Sequence, residues 1–135
     1  IAYKNAAVED ISAQYDVVTA LEIIEHVTDP ASFVETVAQR VKPGGLVIFS
    51  TLNRNPKSFL MGIVAAEYIL RWVPSGTHNY KKFIKPSELF DMARRQKLKP
   101  VAMAGLNLNP FNNEFELSQT KLDINYIAAF KKQQL

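Results

Sequence analysis

Two glutamates and a histidine, Glu22, Glu25 and His26, lie within one short segment of the chain. Their spacing would place the three side chains on one side of a helical turn. Carboxylates and an imidazole grouped in this way bind a divalent cation or carry out acid–base chemistry. The alternative is that Glu25 and His26 only cap and orient the start of a helix, and the spacing alone leaves both interpretations open.

Three other candidates for chemistry have structural explanations that the sequence favours. Asp16 stands where a strand begins, which is typical of a turn residue. The pair Gly44-Gly45 fits a helix-terminating turn better than a phosphate-binding one, because no helix is predicted after it. His78 is a lone histidine in a polar loop, and its residue type alone indicates a structural or incidental role.

The apolar pattern of the first half predicts a strand, a helix and a second strand. The first strand covers 16–21, and the helix covers 31–41 after the N-cap and proline pair Asp29-Pro30. The run Lys-Pro-Gly-Gly at 42–45 stops the helix, and the second strand covers 46–51. Together they form one βαβ unit with parallel strands, which indicates an α/β fold.

Ligands of such sheets bind beyond the carboxyl ends of the strands, which places residues 21–26 at the ligand crevice. Further along, the pattern predicts a mostly apolar helix over Ser58–Val73, a helix opening at Pro86, strands over 100–106 and 123–130, and a polar loop over 107–121.

The composition fits one soluble globular domain over residues 1–135, with 47% hydrophobic and 21% charged residues. The absence of cysteine excludes disulfides, thiolate metal sites and cysteine nucleophiles. A net charge of +3 without a clustered patch is too weak to indicate nucleic-acid binding. The chain opens directly in strand-like sequence at Ile1, so we expect a preceding N-terminal portion.

The first part of the chain resembles the second half of the class I S-adenosylmethionine-dependent methyltransferases. The matching residues are Asp16-Val17-Val18, Leu21-Glu22, Glu25-His26-Val27, Asp29-Pro30 and Lys42-Pro43-Gly44-Gly45. This resemblance implies the C-terminal half of a Rossmann-like α/β fold, with a mostly parallel sheet and an antiparallel last strand. The family's glycine-rich loop and ribose-binding acidic residue would lie upstream of Ile1, so the implied function is that of the parent protein.

The later part is more specific and resembles the ubiquinone-biosynthesis O-methyltransferases. The matching residues are 50–58, 66–71, 76–78, 80–84, 109–110 and 123–126. The resemblance implies methyl transfer from S-adenosylmethionine to a phenolic oxygen of a polyprenyl catechol or demethylubiquinol. The alternatives are a methyltransferase that acts on another small molecule, or a non-catalytic module that binds lipids or partner proteins.

By this resemblance, Glu22, Glu25 and His26 are the candidate ligands of a divalent cation, with magnesium the expected ion. Histidine is a softer ligand than magnesium usually takes, so manganese and zinc stay open.

The resemblance also assigns cofactor and acceptor contacts. Leu21 would pack on the cofactor, and Val8 would contribute a backbone contact to the adenine ring. His78 would face the acceptor and take the phenolic proton, since an unperturbed histidine titrates near pH 6.5. The alternative is a histidine that only ties down its loop.

An insert over about 53–85 would carry the contact with the lipid substrate and the membrane. Its helix Ser58–Val73 is too short and too charged to span a bilayer, but it is more apolar than one core-facing stripe requires. We expect anionic membrane lipids and other ubiquinone-biosynthesis proteins as partners. The expected location is peripheral: the cytoplasmic side of a bacterial inner membrane, or the matrix face in mitochondria. The alternative is a helix buried within the domain.

Overall fold

The fold is built on a five-stranded mixed sheet. The computed structural model describes residues 1–60, 63, 79–109 and 114–134. In these residues the sheet has the strand order β1-β2-β5-β3-β4. Its strands are β1 (Tyr15–Leu21), β2 (Val41–Leu52), β3 (Leu98–Asn109), β4 (Glu114–Ser118) and β5 (Asn125–Lys132).

Strand direction follows from the pairings. β1 and β2 pair in parallel, whereas the pairs β2–β5, β3–β5 and β3–β4 are antiparallel. β1, β2 and β3 therefore share one direction, and β4 and β5 run opposite to it. The predicted α/β class and the antiparallel last strand are confirmed.

Two helices begin at the predicted prolines, Pro30 and Pro86, whereas a third begins at Pro56, two residues before the predicted start at Ser58. They are α1 (Pro30–Gln39), the single turn α2 (Pro56–Ser58) and α3 (Pro86–Arg95). Oδ1 of Asp29 accepts hydrogen bonds from the backbone N–H groups of Ala31 at 2.9 Å and Ser32 at 3.2 Å, which confirms the predicted N-cap.

The core lies between the sheet and the helices α1 and α3. Val34 of α1 and Leu89 of α3 are fully buried, and they share a hydrophobic cluster with Val47, Phe49 and Phe130 of the sheet. We call this side of the sheet the helix face. The other side, which we call the open face, carries Val17 and Leu21 of β1, which are 51% and 53% exposed.

The Lys-Pro-Gly-Gly run lies inside β2, where the register with β1 shifts. Tyr15 pairs with Val41 and Val17 pairs with Leu46, so residues 42–45 form an irregularity in the strand. The prediction that this run stops the helix is wrong, because α1 already ends at Gln39 and β2 begins at Val41, before the run. Gly44 has a φ of +79°, which explains a glycine at that position.

β4 corrects the prediction of a polar loop over 107–121. β3 continues to Asn109, and residues 114–118 pair with it in antiparallel register. The sequence Glu-Phe-Glu-Leu-Ser alternates polar and apolar residues. A strand with one solvated face has this alternation. The three polar residues of the segment led to the prediction of a loop.

Two sequence predictions fall outside the described residues, namely most of the helix Ser58–Val73 and the histidine His78. Within the described part of the chain, no helix has the length and apolarity needed to cross a bilayer.

Candidate functional site

The site lies at the carboxyl end of β1, where the backbone of Glu22 turns sharply. Glu22 has a φ of +51°, a left-handed conformation that is uncommon for a residue with a side chain. Its N–H donates to the Ser50 carbonyl oxygen at 3.0 Å and lies 3.1 Å from the Ser50 hydroxyl. β2 thus holds the backbone of Glu22 in this strained position.

The Glu22 carboxylate is bound through one of its two oxygens. Oε1 accepts hydrogen bonds from the Ser50 hydroxyl at 2.6 Å and from Nδ2 of Asn125 at 3.2 Å. Among the residues that the structure describes, no donor contacts Oε2. Oδ1 of Asn125 is also buried and has no hydrogen-bond partner there. The network therefore presents acceptor oxygens that lack donors.

The second carboxylate, Glu25, has a different environment. It is only 3% exposed, and its Oε2 accepts a hydrogen bond from the buried Thr51 hydroxyl at 2.8 Å. Burial raises the pKa of Glu25 above its usual 4.5, and hydrogen bonds to its own backbone N–H and to Thr51 offset only part of that increase. Glu25 thus ties the loop after β1 to β2.

Strand alternation explains why the two carboxylates separate. Ser50 and Thr51 are neighbours in β2, so their side chains point to opposite faces of the sheet. Leu21 pairs with Ser50 on the open face, whereas Thr51 pairs with the fully buried Tyr126 on the helix face. Glu22 accordingly meets the open face and Glu25 the helix face.

The predicted helical turn that would bring Glu22, Glu25 and His26 together does not form. The segment is a tight turn, with the His26 N–H donating to the Ile23 carbonyl at 2.9 Å. The His26 side chain is 51% exposed, and its Nε2 lies 3.9 Å from Oε1 of Glu25. No group of three or more potential metal ligands occurs in the described part of the chain. As arranged, these three side chains do not fit a shared metal ion.

The three other predicted site residues, Leu21, Val8 and His78, lie in different segments of the chain. Leu21 is exposed at the end of β1, beside the Glu22 network, and its predicted contact with the cofactor stays a prediction. Val8 lies in a 3₁₀ turn, Val8–Asp10, and its carbonyl accepts from the Ile11 N–H and from Nε of Arg40, both at 3.3 Å. Only its N–H is left for a contact with adenine. His78, the predicted catalytic residue, lies outside the described residues.

A pocket of about 390 Å³ opens on the helix face, next to Glu25. Arg54 lines it and pairs with Glu88 of α3, and Nζ of Lys82 lies 3.4 Å from the His26 carbonyl oxygen. Its remaining lining residues are Val27, Thr28, Asp29, Pro30, Ala31, Lys81, Phe83, Ile84 and Met92. Glu22 does not line this pocket.

Sequence reasoning missed Ser50, Thr51 and Asn125 as site residues. The first two end an apolar strand that was predicted, so the rule that strand ends carry ligand-binding groups would have found them. Asn125 begins β5, far along the chain, and no local pattern links it to Glu22.

Comparison with known proteins places the chain in a family. The model of a methyltransferase domain matches residues 2–102. Ubiquinone biosynthesis O-methyltransferases are similar along almost the whole chain. The protein from Bordetella pertussis is 52% identical over 134 residues, and that from Idiomarina loihiensis is 51% identical over 136. These alignments cover 96% and 98% of the chain and 55% and 56% of the relatives, so the chain spans about half their length.

Solved structures support the same fold at low identity. A SAM-dependent methyltransferase from Thermotoga maritima matches with a TM-score of 0.69 and 14% identity, over 95% of this chain and 62% of that one. A magnesium protoporphyrin IX methyltransferase from Synechocystis, solved with bound SAH, matches with a TM-score of 0.62 and 10% identity, over 95% and 49% of the two chains. The chain belongs to the methyltransferase domain family.

Proposed function

We propose that the protein transfers a methyl group from S-adenosylmethionine to a phenolic oxygen of a polyprenyl catechol in ubiquinone biosynthesis. The observation that carries this proposal is an identity of about 50% with ubiquinone biosynthesis O-methyltransferases over 96% of the chain. The crevice at the carboxyl ends of β1 and β2 is where a ligand of such a fold is expected.

The crevice residues fit the cofactor. S-adenosylmethionine supplies an electrophilic methyl group when it is bound. Leu21 offers an exposed apolar surface, and beside it Glu22 and Asn125 offer acceptor oxygens without donors among the described residues. This combination suits a molecule that carries both apolar parts and an ammonium group.

The chain's own residues have to hold the acceptor in line and help to remove its proton. A phenol with a pKa near 10, as in tyrosine, is a poor nucleophile at neutral pH. Alignment of the reacting atoms contributes on the order of 7–11 kcal/mol in well-oriented systems. We propose His78 as the proton acceptor. His78→Gln in the natural full-length protein should lower kcat strongly with little change in Tm, whereas unfolding of this variant would indicate a structural histidine.

Metal dependence stays a prediction. The carboxylates of Glu22 and Glu25 lie against different faces of the sheet, so no step of the proposed reaction passes through an ion held by these residues. Treatment of the full-length protein with a chelator, followed by addition of Mg²⁺, tests the prediction. Loss and recovery of turnover would support the prediction, whereas unchanged turnover would contradict it; an ion shared by Glu22, Glu25 and His26 would require these side chains to rearrange.

We also propose that the protein works at a membrane surface, because a polyprenyl catechol partitions into the bilayer. Phe59 and Leu60 are 44% and 56% exposed at the start of the apolar segment, and exposed lysines lie in and beside the turn Tyr80–Lys82. The expected surface is the bacterial inner membrane or the matrix side of the mitochondrial one.

The direct test is product analysis with the natural full-length protein. Incubation with S-adenosylmethionine and a short-chain prenyl catechol should yield an O-methylated product and one equivalent of S-adenosylhomocysteine, detected by mass spectrometry. Methylation of other small molecules but not of the catechol would support a different acceptor. Absence of methylation with retained lipid or protein binding would support the non-catalytic module.

A further inference from the structure

The network at the end of β1 treats the two oxygens of Glu22 differently. We propose that Ser50 and Asn125 are positioning residues: they fix Oε1 so that Oε2 binds a hydrogen-bond donor, a hydroxyl or an ammonium, of a small molecule in the crevice. This inference rests on the proposed function and deepens it, because it names the groups that orient the ligand.

The backbone supplies the first argument. Glu22 keeps a left-handed φ of +51° although a glycine would adopt it without strain. Strain of this kind persists only where the surroundings impose it, and it concentrates at ligand-binding positions. Here the surroundings are two acceptor atoms of Ser50, within 3.1 Å of the Glu22 N–H.

The side chains supply the second argument. A carboxylate has about four acceptor positions on its two oxygens, and Glu22 is exposed, so Oε2 is open to a donor from a bound molecule. The donors from Ser50 and Asn125 converge on Oε1, at 2.6 and 3.2 Å. Ser50 is only 6% exposed, so its hydroxyl has little freedom to move away.

Asn125 supplies the third argument. Its amide group donates to Glu22 through Nδ2, which leaves Oδ1 buried and without a partner in the described part of the chain. Buried acceptors are normally satisfied, so an exception calls for a ligand or a water molecule that donates to it. Two acceptors without donors, one of them anionic, favour a donor-bearing ligand and oppose an anionic one.

The experiment measures binding and kinetics of the natural full-length protein for Ser50→Ala, Asn125→Ala and Glu22→Gln. Calorimetry gives the Kd of S-adenosylhomocysteine, and initial rates give kcat and KM for a short-chain prenyl catechol. Each variant should either weaken the Kd of S-adenosylhomocysteine or lower the kcat/KM for the catechol by about tenfold, which is equivalent to about 1.4 kcal/mol. A weaker Kd identifies the cofactor's ammonium as the donor, and an unchanged Kd with a lower kcat/KM identifies the acceptor's hydroxyl.

A double-mutant cycle separates positioning from general damage. If Ser50 acts through Glu22, Ser50→Ala should have little further effect in a Glu22→Gln background. Thr36→Val is the matched control, because it removes a hydroxyl that donates to the Ser32 carbonyl within α1 and contacts no site residue; it should leave the Kd of S-adenosylhomocysteine and the kcat/KM for the catechol unchanged.

Three results would overturn the inference: additive effects in the cycle, values within about twofold of wild type for both Ser50→Ala and Asn125→Ala, or an equal loss of affinity in Thr36→Val. A wild-type protein that neither binds S-adenosylhomocysteine nor methylates the catechol contradicts the proposed function, and this inference with it.

Discussion

Glu22 combines backbone strain with a side chain that faces the crevice. In the left-handed region the β-carbon of any residue except glycine crowds the following carbonyl oxygen, which costs on the order of 1–2 kcal/mol. Lys97, with a φ of +57°, is the other non-glycine residue in this region among those described, and it lies in the turn after α3, where helices commonly end this way. Only at Glu22 does the strained residue also present a carboxylate to a candidate site.

A comparison of Glu22→Gly with Glu22→Ala measures this strain. Both variants lose the same hydrogen bonds to Ser50 and Asn125, but only glycine relieves the backbone. We expect the glycine variant to have a free energy of unfolding about 1 kcal/mol higher than the alanine variant, with both deficient in turnover. Chemical denaturation measures the difference. Equal stabilities would show that the backbone relaxes when the carboxylate is absent.

Glu25 predicts a dependence of stability on pH. Its pKa is raised in the folded state by burial, so folding favours its protonated form. The stabilisation is complete below the unfolded-state pKa near 4.5 and is lost as the pH rises through the folded-state pKa. Glu25→Gln, which stays neutral and can still accept from Thr51, should match wild type near pH 4 and be the more stable protein at pH 8.

Thermal melts between these pH values test this expectation. Glu35 provides the control, because it is exposed on α1 and its replacement by Gln should change stability by less than about 0.5 kcal/mol. A constant difference between Glu25→Gln and wild type across the range would contradict a titration of Glu25.

At the scale of elements, the irregularity at 42–45 brings β2 against β1. A β-carbon on Gly45 would lie 2.7 Å from the Asp16 carbonyl oxygen and 2.8 Å from Cγ1 of Val41. These neighbours are backbone and packed core atoms, so they cannot move aside cheaply. The glycine is therefore required by the close approach of the two parallel strands, which also carry Glu22 and Ser50.

Gly45→Ala should accordingly lower the free energy of unfolding by about 1–3 kcal/mol, a typical cost of overpacking. Gly44→Asn is the matched control. Asparagine tolerates a positive φ, and the nearest atoms are those of the flexible Gln134 side chain at 3.0 Å, so the loss should be smaller. Chemical denaturation of both variants provides the measurement. A larger loss at Gly44 than at Gly45 would show that backbone conformation outweighs the steric contact.

At the scale of the whole molecule, the elements that bury apolar surface were predictable. The continuous run over 46–51 predicted a buried strand, and Asp29-Pro30 predicted the start of α1. These signals are local: they depend on residues a few positions apart. β4 was missed because three of its five residues are polar, and its pairing with β3 depends on contacts between separate segments.

The location of the candidate site in the chain was predictable, but the hydrogen-bond partners of its carboxylates were not. The sequence predicted that Glu22 and Glu25 follow the carboxyl end of a strand, and the structure has them just beyond β1. The sequence alone could not assign them to opposite faces, because that depends on which of the adjacent residues Ser50 and Thr51 each one meets. The register between β1 and β2 decides this, and a shift of one residue would exchange the faces.

Association with membranes is the last prediction at this scale. Exposed Phe59 and Leu60 lie in the same region as the exposed lysines Lys81 and Lys82, since the ring of Phe59 packs edge-on against Tyr80 at 5.4 Å. Lysines near an anionic lipid surface each contribute about 1 kcal/mol of binding. The protein should therefore co-sediment with anionic vesicles, and less so as salt is raised. Lys81→Glu with Lys82→Glu should abolish this binding while methylation of a short soluble catechol persists.

Reversal of the charges of Lys99 and Lys131, which pair at the opposite end of the sheet, is the control and should leave binding to the vesicles intact. Equal binding to neutral and anionic vesicles, or an equal effect of both double variants, would rule out this surface as the site of membrane contact.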